Sequence, residues 1–340
     1  MKFGFVIPHV IDRGARNPFH RIHRHVAAVE AMGFEFGTLG HHRFTPQLAF
    51  GEPSAPLTTL AAILARTERV KVCTSILLLP TYHPLDIAEQ IGTLDEMSNG
   101  RVILGIGAGY RPYEFAAVGI DFKTRMSRME EMIAVLRQAW TGNPVNFHGR
   151  HFQIDNVTVS PRPQQNHLPI WIGASAPNGI DRAAIMSDGW IAGFPTPLPI
   201  LEPIARDFRA KAAAAGQQGT VCLMRDFHIA ASRDRLDPEW MQRSIGVYRN
   251  YLNAGSKMKI DDTVMRAVNG ENISFDEYIP GRAVAGTPED CIREIERCRT
   301  MTGCEYMLLT PVGVPDVEQQ LRELELFSRE VMPHFSDPKL

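Results

Sequence analysis

Two adjacent imidazoles, His41 and His42, follow the apolar segment 34–39 within the run Gly40-His41-His42-Arg43-Phe44. Near neutral pH a histidine can take or give a proton, or hydrogen-bond a developing anion. Successive residues leaving a strand point in opposite directions, so one ring is expected to face the site and the other to pack away. A third histidine, His83, precedes Pro84; pocket lining and a turn hydrogen bond suit it equally. The run Gly105-Ile106-Gly107-Ala108-Gly109-Tyr110 invites a dinucleotide reading. That reading fails, because the fingerprint needs glycine where Tyr110 stands and a helix directly after it, whereas Arg111-Pro112 follows. Small residues at a strand end instead let a flat ring or a phosphate approach the backbone.

These residues need a frame. Short apolar segments at 3–8, 34–39, 70–79, 101–106, 169–173, 189–193, 221–231 and 305–310 read as strands bounded by turn residues. Helical patterns fall near 20–32, 56–67, 84–98, 125–140, 178–187, 198–215, 237–254, 288–301 and 316–331. Eight strand–helix alternations predict an α/β fold, a (β/α)8 TIM barrel whose chemistry sits on the loops after its strands. An open doubly wound sheet is the alternative. Residues 1–340 are expected to form one domain, with insertions after strands 4 and 7. The first, 141–168, reads as a hairpin; the second, 255–287, reads either as a lid over the catalytic side or as a surface insertion. Thr287-Pro288-Glu289-Asp290 predicts a capped helix start. Asp95 and Arg101 are expected to form a structural ion pair. Leu85, Ala88, Ile91 and Leu94 mark a core or interface face. Trp171, Trp190, Phe194 and Phe227 are expected to fill the barrel, and His228 to be a core residue.

Composition narrows the classes. The 340 residues are 44% hydrophobic and 22% charged, with a net charge of −2. Neither a nucleic-acid nor an acidic-membrane partner is expected from that balance. The start lacks a basic region with a long apolar run, and no stretch reaches 18 unbroken apolar residues, so neither a signal peptide nor a membrane span is expected. Cys73, Cys222, Cys291, Cys298 and Cys304 are odd in number and lack Cys-x-x-Cys spacing. Reduced thiols in a cytoplasmic enzyme are expected, with no metal site.

One run makes the picture specific. His83-Pro84-Leu85 through Leu94-Asp95-Glu96-Met97-Ser98-Asn99-Gly100-Arg101, followed by Leu104-Gly105-Ile106-Gly107-Ala108-Gly109, resembles the flavin-dependent luciferase-like monooxygenases. The resemblance implies a non-proline cis peptide at Ser75–Ile76 beneath the flavin ring. It also implies a strand-four loop, with Gly107, Gly109 and Tyr110, beside the ring and phosphate. Arg125, Arg128, Ser175 and Asn178 become phosphate candidates, the last two because residues 175–179 open a helix whose N–H groups favour an anion. His41 aligns with the catalytic histidine of the bacterial luciferases. Those proteins carry an acidic residue at Gly40, arginine at Ala108 and glutamate at Ala174, so part of their phosphate grip is not reproduced; Arg111 is the compensating candidate.

The expected activity is a monooxygenase taking reduced FMN from a separate flavin reductase. With O2 it would proceed through a 4a-peroxyflavin to oxygenate a small apolar substrate, such as an aldehyde, ketone or terpenoid-like compound. Three alternatives stand beside it. One is an oxidoreductase dependent on the deazaflavin coenzyme F420; another is a non-catalytic flavin-binding relative; the last is a barrel hydrolase with His41, His42 and His83 on a metal. A homodimer through the helices near 56–67 and 84–98 is expected.

Overall fold

The computed structural model describes residues 1–8, 16–17, 19–44, 55–193, 196–256 and 258–336. Strand and helix alternate from the start: β1 (Lys2–Val6), α1 (His20–Ala31), β2 (Phe36–Leu39), α2 (Pro56–Leu64) and β3 (Lys71–Thr74). The two-residue β4 (Leu77–Leu78), α3 (Pro84–Met97) and β5 (Val102–Gly107) follow, then α4 (Pro112–Ala116) and α5 (Arg125–Ala139). The hairpin β6 (Val145–His148) and β7 (Gln153–Val157) precedes β8 (Ile170–Gly173), α6 (Pro177–Met186), β9 (Gly189–Ala192), α7 (Leu198–Ala214) and β10 (Thr220–Ile229). Then come α8 (Trp240–Asn253), α9 (Asp262–Val268), α10 (Phe275–Tyr278), β11 (Ala283–Gly286), α11 (Pro288–Thr302), β12 (Tyr306–Thr310) and α12 (Val317–Glu330).

Eight strands, β1, β2, β3, β5, β8, β9, β10 and β12, pair in parallel and close on themselves through β9–β10, β10–β12 and β12–β1. They are the eight segments expected from the sequence, and the fold is a (β/α)8 barrel. Its interior takes one side chain from every strand: Val6, Phe36, Cys73, Ile103, Trp171, Ile191, Cys222 and Leu308. These side chains make the barrel a packed core rather than a pore. The alternate residues face the helices and join the larger core between barrel and helix ring.

Several local expectations change against this frame. Trp171 fills the barrel, but Trp190 and Phe227 belong to the outer layer, packed against Phe208 and Phe327 respectively. Phe194 lies outside the described residues. Asp95 and Arg101 do not pair. Asp95 is fully buried and accepts from the Val102 and Gln165 N–H groups and from Gln165 Nε2. Arg101 instead donates to the backbone oxygens of Leu64, Thr67, Val70 and Ser98. Each charge satisfies backbone groups that packing had already stranded, which a long, forked guanidinium does better than a contact ion pair. On α3, Ala88, Ile91 and Leu94 are buried in the chain's own core.

Residues 141–168 do hold a hairpin, whose tip is fixed by the Glu131 carboxylate accepting the Arg150, His151 and Phe152 N–H groups. Between β10 and β12, α8, α9, α10 and β11 build a second apolar cluster around Trp240, Ile245, Tyr248, Val264 and Tyr278. β11 was not anticipated. It pairs with the outer end of β10, from Asp226↔Ala283 to Ile229↔Gly286, and its small residues between Gly281 and Gly286 read as loop. Thr287, Pro288 and Asp290 form the predicted capping box at the start of α11.

Candidate active site

In a βα barrel every strand ends, and the following helix begins, on the same face, so the residues after β2, β3, β5 and β8 share one mouth. His41 and His42 leave β2 and diverge. His41 is buried, and its Nδ1 accepts the Leu78 N–H at 3.4 Å, with the Tyr82 ring 6.2 Å away. An accepting Nδ1 places the neutral ring's proton on Nε2, making His41 a donor through that nitrogen.

His42 turns to the other wall. Its Nδ1 lies 3.4 Å from Glu114 Oε1, and its ring meets Tyr110 at 5.7 Å and Tyr251 at 6.1 Å. Glu114 is 0% exposed and also accepts the Arg43 N–H at 2.7 Å. Burial pushes the Tyr251 hydroxyl up to about 12, so it remains a proton-bearing group at neutral pH. Neither Glu114 nor Tyr251 was picked out from the sequence. Glu114 carried a readable signal, an acid just inside the Pro112 helix start; Tyr251 sits on α8, far along the chain, and no local pattern points to it.

The Ser75–Ile76 peptide is cis, at the position the resemblance implied. Ile76 lies across two glycines of neighbouring strands. A Cβ at Gly107 would come within 2.1 Å of Ile76 Cδ1, and one at Gly173 within 2.6 Å of Ile76 Cγ2. Gly109 follows with φ +75°, a conformation that side-chain-bearing residues rarely adopt. The ends of β3, β5 and β8 therefore form a low apolar platform. Ser75 Oγ reaches across the mouth to Met224 Sδ at 3.8 Å.

The polar candidates are more dispersed. Arg125 lies 3.9 Å over the Phe122 ring and donates to Phe122 O, while its Nε is buried without a hydrogen-bond partner. Arg128 is held by Pro80 O and lies over Phe152. Arg111 donates to the Tyr113 hydroxyl and lies over Tyr110, and its Nε is likewise buried and unpartnered. Ser175 is half-buried before α6, whose N-cap, Ala176, offers no side-chain cap. Gly179 and Ile180 already donate to Ala176 O, and Asn178 is exposed. His83 caps α3 by accepting the Leu85 N–H and packs on Phe152.

Known proteins resemble this chain over most of its length. The family model for luciferase-like monooxygenases covers residues 1–304. The chain belongs to that family. It is 26% identical over 309 residues to an F420-dependent glucose-6-phosphate dehydrogenase of Amycolatopsis mediterranei, covering 89% of this chain and 91% of that one. It is also 26% identical over 301 residues to the oxygenase component of a flavin-dependent trigonelline monooxygenase of Acinetobacter baylyi, covering 84% and 82%. Among solved structures, the monooxygenase RslO1 of Streptomyces bottropensis superposes with a TM-score of 0.78 at 25% identity, over 99% of this chain and 100% of that one. The luciferase-like family is thus one of oxidoreductases, with flavin-dependent oxygenases and F420-dependent dehydrogenases both among the relatives.

The luciferase-like site fits a flavin-type group on its own observations. A ring needs a flat apolar floor, which Ile76 over Gly107 and Gly173 supplies; an anionic tail needs donors, and Arg111 and Arg125 each hold a buried, unpaired Nε. Among the described residues no group of three or more His, Cys, Asp or Glu side chains could hold a metal ion. No helix among them is long and apolar enough to cross a membrane.

Proposed function

We propose that the chain is a flavin-dependent monooxygenase that works on a small substrate with O2 and with reduced FMN supplied by a separate reductase. The observation that supports this reading is the His41 ring, whose Nδ1 accepts the Leu78 N–H beside the cis Ser75–Ile76 peptide, leaving Nε2 as the proton-bearing nitrogen of the neutral ring. Bound FMN supplies the two electrons and the oxygen-activating ring. His41 then holds and delivers a proton to the reacting oxygen through Nε2. His42, with its Nδ1 3.4 Å from Glu114 Oε1, packs against Tyr110 and Tyr251 and closes the mouth against water. Ser75, Ile76, Gly107, Gly109 and Tyr110 seat the ring; Arg125, with Arg111, holds the phosphate, helped by Ser175 and the Asn178 N–H at the start of α6. The trigonelline relative, named as an oxygenase component, supports the separate reductase.

F420-dependent hydride transfer is the second reading, supported by the glucose-6-phosphate dehydrogenase relative. Anaerobic mixing of the protein with reduced FMN, followed by oxygen, separates the two. Slow reoxidation, with an absorbance band belonging to neither the reduced nor the oxidised flavin, supports the oxygenase. Immediate reoxidation, together with tight binding of F420, replaces it. The protein is proposed to be a cytoplasmic homodimer; elution as a monomer in a micromolar sizing run would refute the dimer.

A further inference from the structure

A row of polar side chains crosses the barrel mouth and is used neither by the histidines nor by the glycine platform. Val6 on β1 is in register with Thr38 on β2, and Asp226 on β10 with Thr310 on β12. One step below, Phe5 stands beside Leu309. Thr38, Val6, Thr310 and Asp226 therefore stand at one level across four neighbouring strands. By the two-residue alternation they share the inward face with Phe36, Leu308 and Cys222, which fill the barrel beneath them.

All three polar members are buried; Asp226 is 1% exposed and Thr310 0%. One carboxylate oxygen of Asp226, Oδ2, accepts from the Tyr248 hydroxyl. The other, Oδ1, has no hydrogen-bond partner, and neither has Thr38 Oγ1 nor Thr310 Oγ1. Buried polar atoms are nearly always paired, and valine would fill either threonine position with the same shape. Three orphans thus stand at one level of one inward wall, Asp226 and Thr310 on adjacent strands and Thr38 beyond Val6, each a buried donor or acceptor without a partner. Burial pushes the Asp226 carboxyl up to about 7, against the pull of Tyr248 and Arg225. Near neutral pH the carboxyl is therefore present both with and without its proton, and Oδ1 is a bare acceptor once the pH is above that value.

We propose that this wall binds the substrate through a hydroxyl group, Asp226 Oδ1 accepting the substrate O–H while Thr310 beside it pairs with the same oxygen and Thr38, beyond Val6, with a second polar atom. The substrate class is then a small hydroxyl-bearing aliphatic or cyclic compound, not a bare hydrocarbon. The inference rests on the reading of the strand ends as the active site; it does not depend on which flavin is used.

The test compares cyclohexanol with its isostere fluorocyclohexane, which lacks the donor, and with cyclohexanone. Binding is followed by ligand-observed NMR on the full chain, with and without FMN, and FMN binding is followed separately by flavin fluorescence. The expected result is cyclohexanol bound at least about tenfold more tightly than fluorocyclohexane, since sites built to pair a hydroxyl reject analogues without it. Asp226→Asn keeps an oxygen for Tyr248 but turns an NH2 donor toward the substrate, so preference should move from cyclohexanol to cyclohexanone. Thr38→Val with Thr310→Val should lower the alcohol preference to below about threefold without unfolding the chain. Equal binding of the pair, no saturable cyclohexanol binding, or an unchanged preference in both variants overturns the proposal. Failure of FMN to bind strikes the flavin reading alone, because the FMN-free titration still decides the wall.

Discussion

Across the barrel mouth, β5 and β8 carry Gly107 and Gly173 at their ends, whereas β2, β10 and β12 carry Thr38, Asp226 and Thr310 at inward positions of theirs. The first side is shaped by removal: without side chains at two positions, Ile76 lies flat and an aromatic ring has a floor. The second side is shaped by addition, with hydroxyls and a carboxyl set where aliphatic residues would pack as well. A floor for a ring needs contact area and little direction. Recognition of a small molecule needs directed groups, and those groups destabilise the free protein when unpaired. In the proposed function one mouth serves two ligands, with its halves built on different physics.

The largest test of this division removes the proposed proton donor, His41. His41→Ala is expected to lower product formation by about 10²–10⁴-fold, the usual worth of a positioned acid or base, with FMN affinity changed only a few-fold. Unchanged product yield would take His41 out of the reaction. On the platform side, Gly107→Ala drives a methyl into Ile76 and is expected to weaken FMN binding by at least about tenfold, or about 1.4 kcal/mol. Because the clash is with one side chain, adding Ile76→Ala should recover part of the loss in a double-mutant cycle. Absence of that coupling would show that the two residues do not form the floor together.

The polar side makes opposite predictions for stability. Asp226 has a folded-state value near 7 against an ordinary 3.8, so the folded protein holds a proton that the unfolded chain releases between these values. Stability should fall as pH rises from about 4 to about 7 and then level off. Asp226→Asn, which has no charge to bury, should raise the melting free energy at pH 8 by on the order of 1–2 kcal/mol, with the gain vanishing near pH 4. A gain equal at both pH values would mean that the carboxyl is not buried as described. Smallest, Thr38→Val and Thr310→Val should each stabilise by up to about 1 kcal/mol in thermal melts, since each deletes an unpaired hydroxyl. Destabilisation would show that those hydroxyls have partners and would level the contrast between the halves.

Much of the barrel was legible along the chain. Strand periodicity, the Thr287 cap and the hairpin at 145–157 follow from local pattern, because each depends on residues a few positions apart. The Ser75–Ile76 cis peptide and the His41-His42 pair were legible through family resemblance and strand position. Asp95 and Arg101 show where proximity in sequence misleads, since each found stranded backbone groups elsewhere in the fold. Met224-Arg225-Asp226 placed charges inside an apolar strand, a signal that was visible but gave no direction.

From the amino-acid order alone come the eight barrel strands, the nine longer helices but not the short α4, α9 and α10, the glycines at the ends of β5 and β8, and the imidazole pair after β2. Chain closure decided the rest. Only when β9 meets β10 and β12 meets β1 do Thr38, Val6, Thr310 and Asp226 stand in one row. Only the path of α8 brings Tyr248 to Asp226 and Tyr251 to His42. Register across a closed sheet and the crossing of a distant helix are sums over contacts tens to hundreds of residues apart, and no local window of sequence contains them.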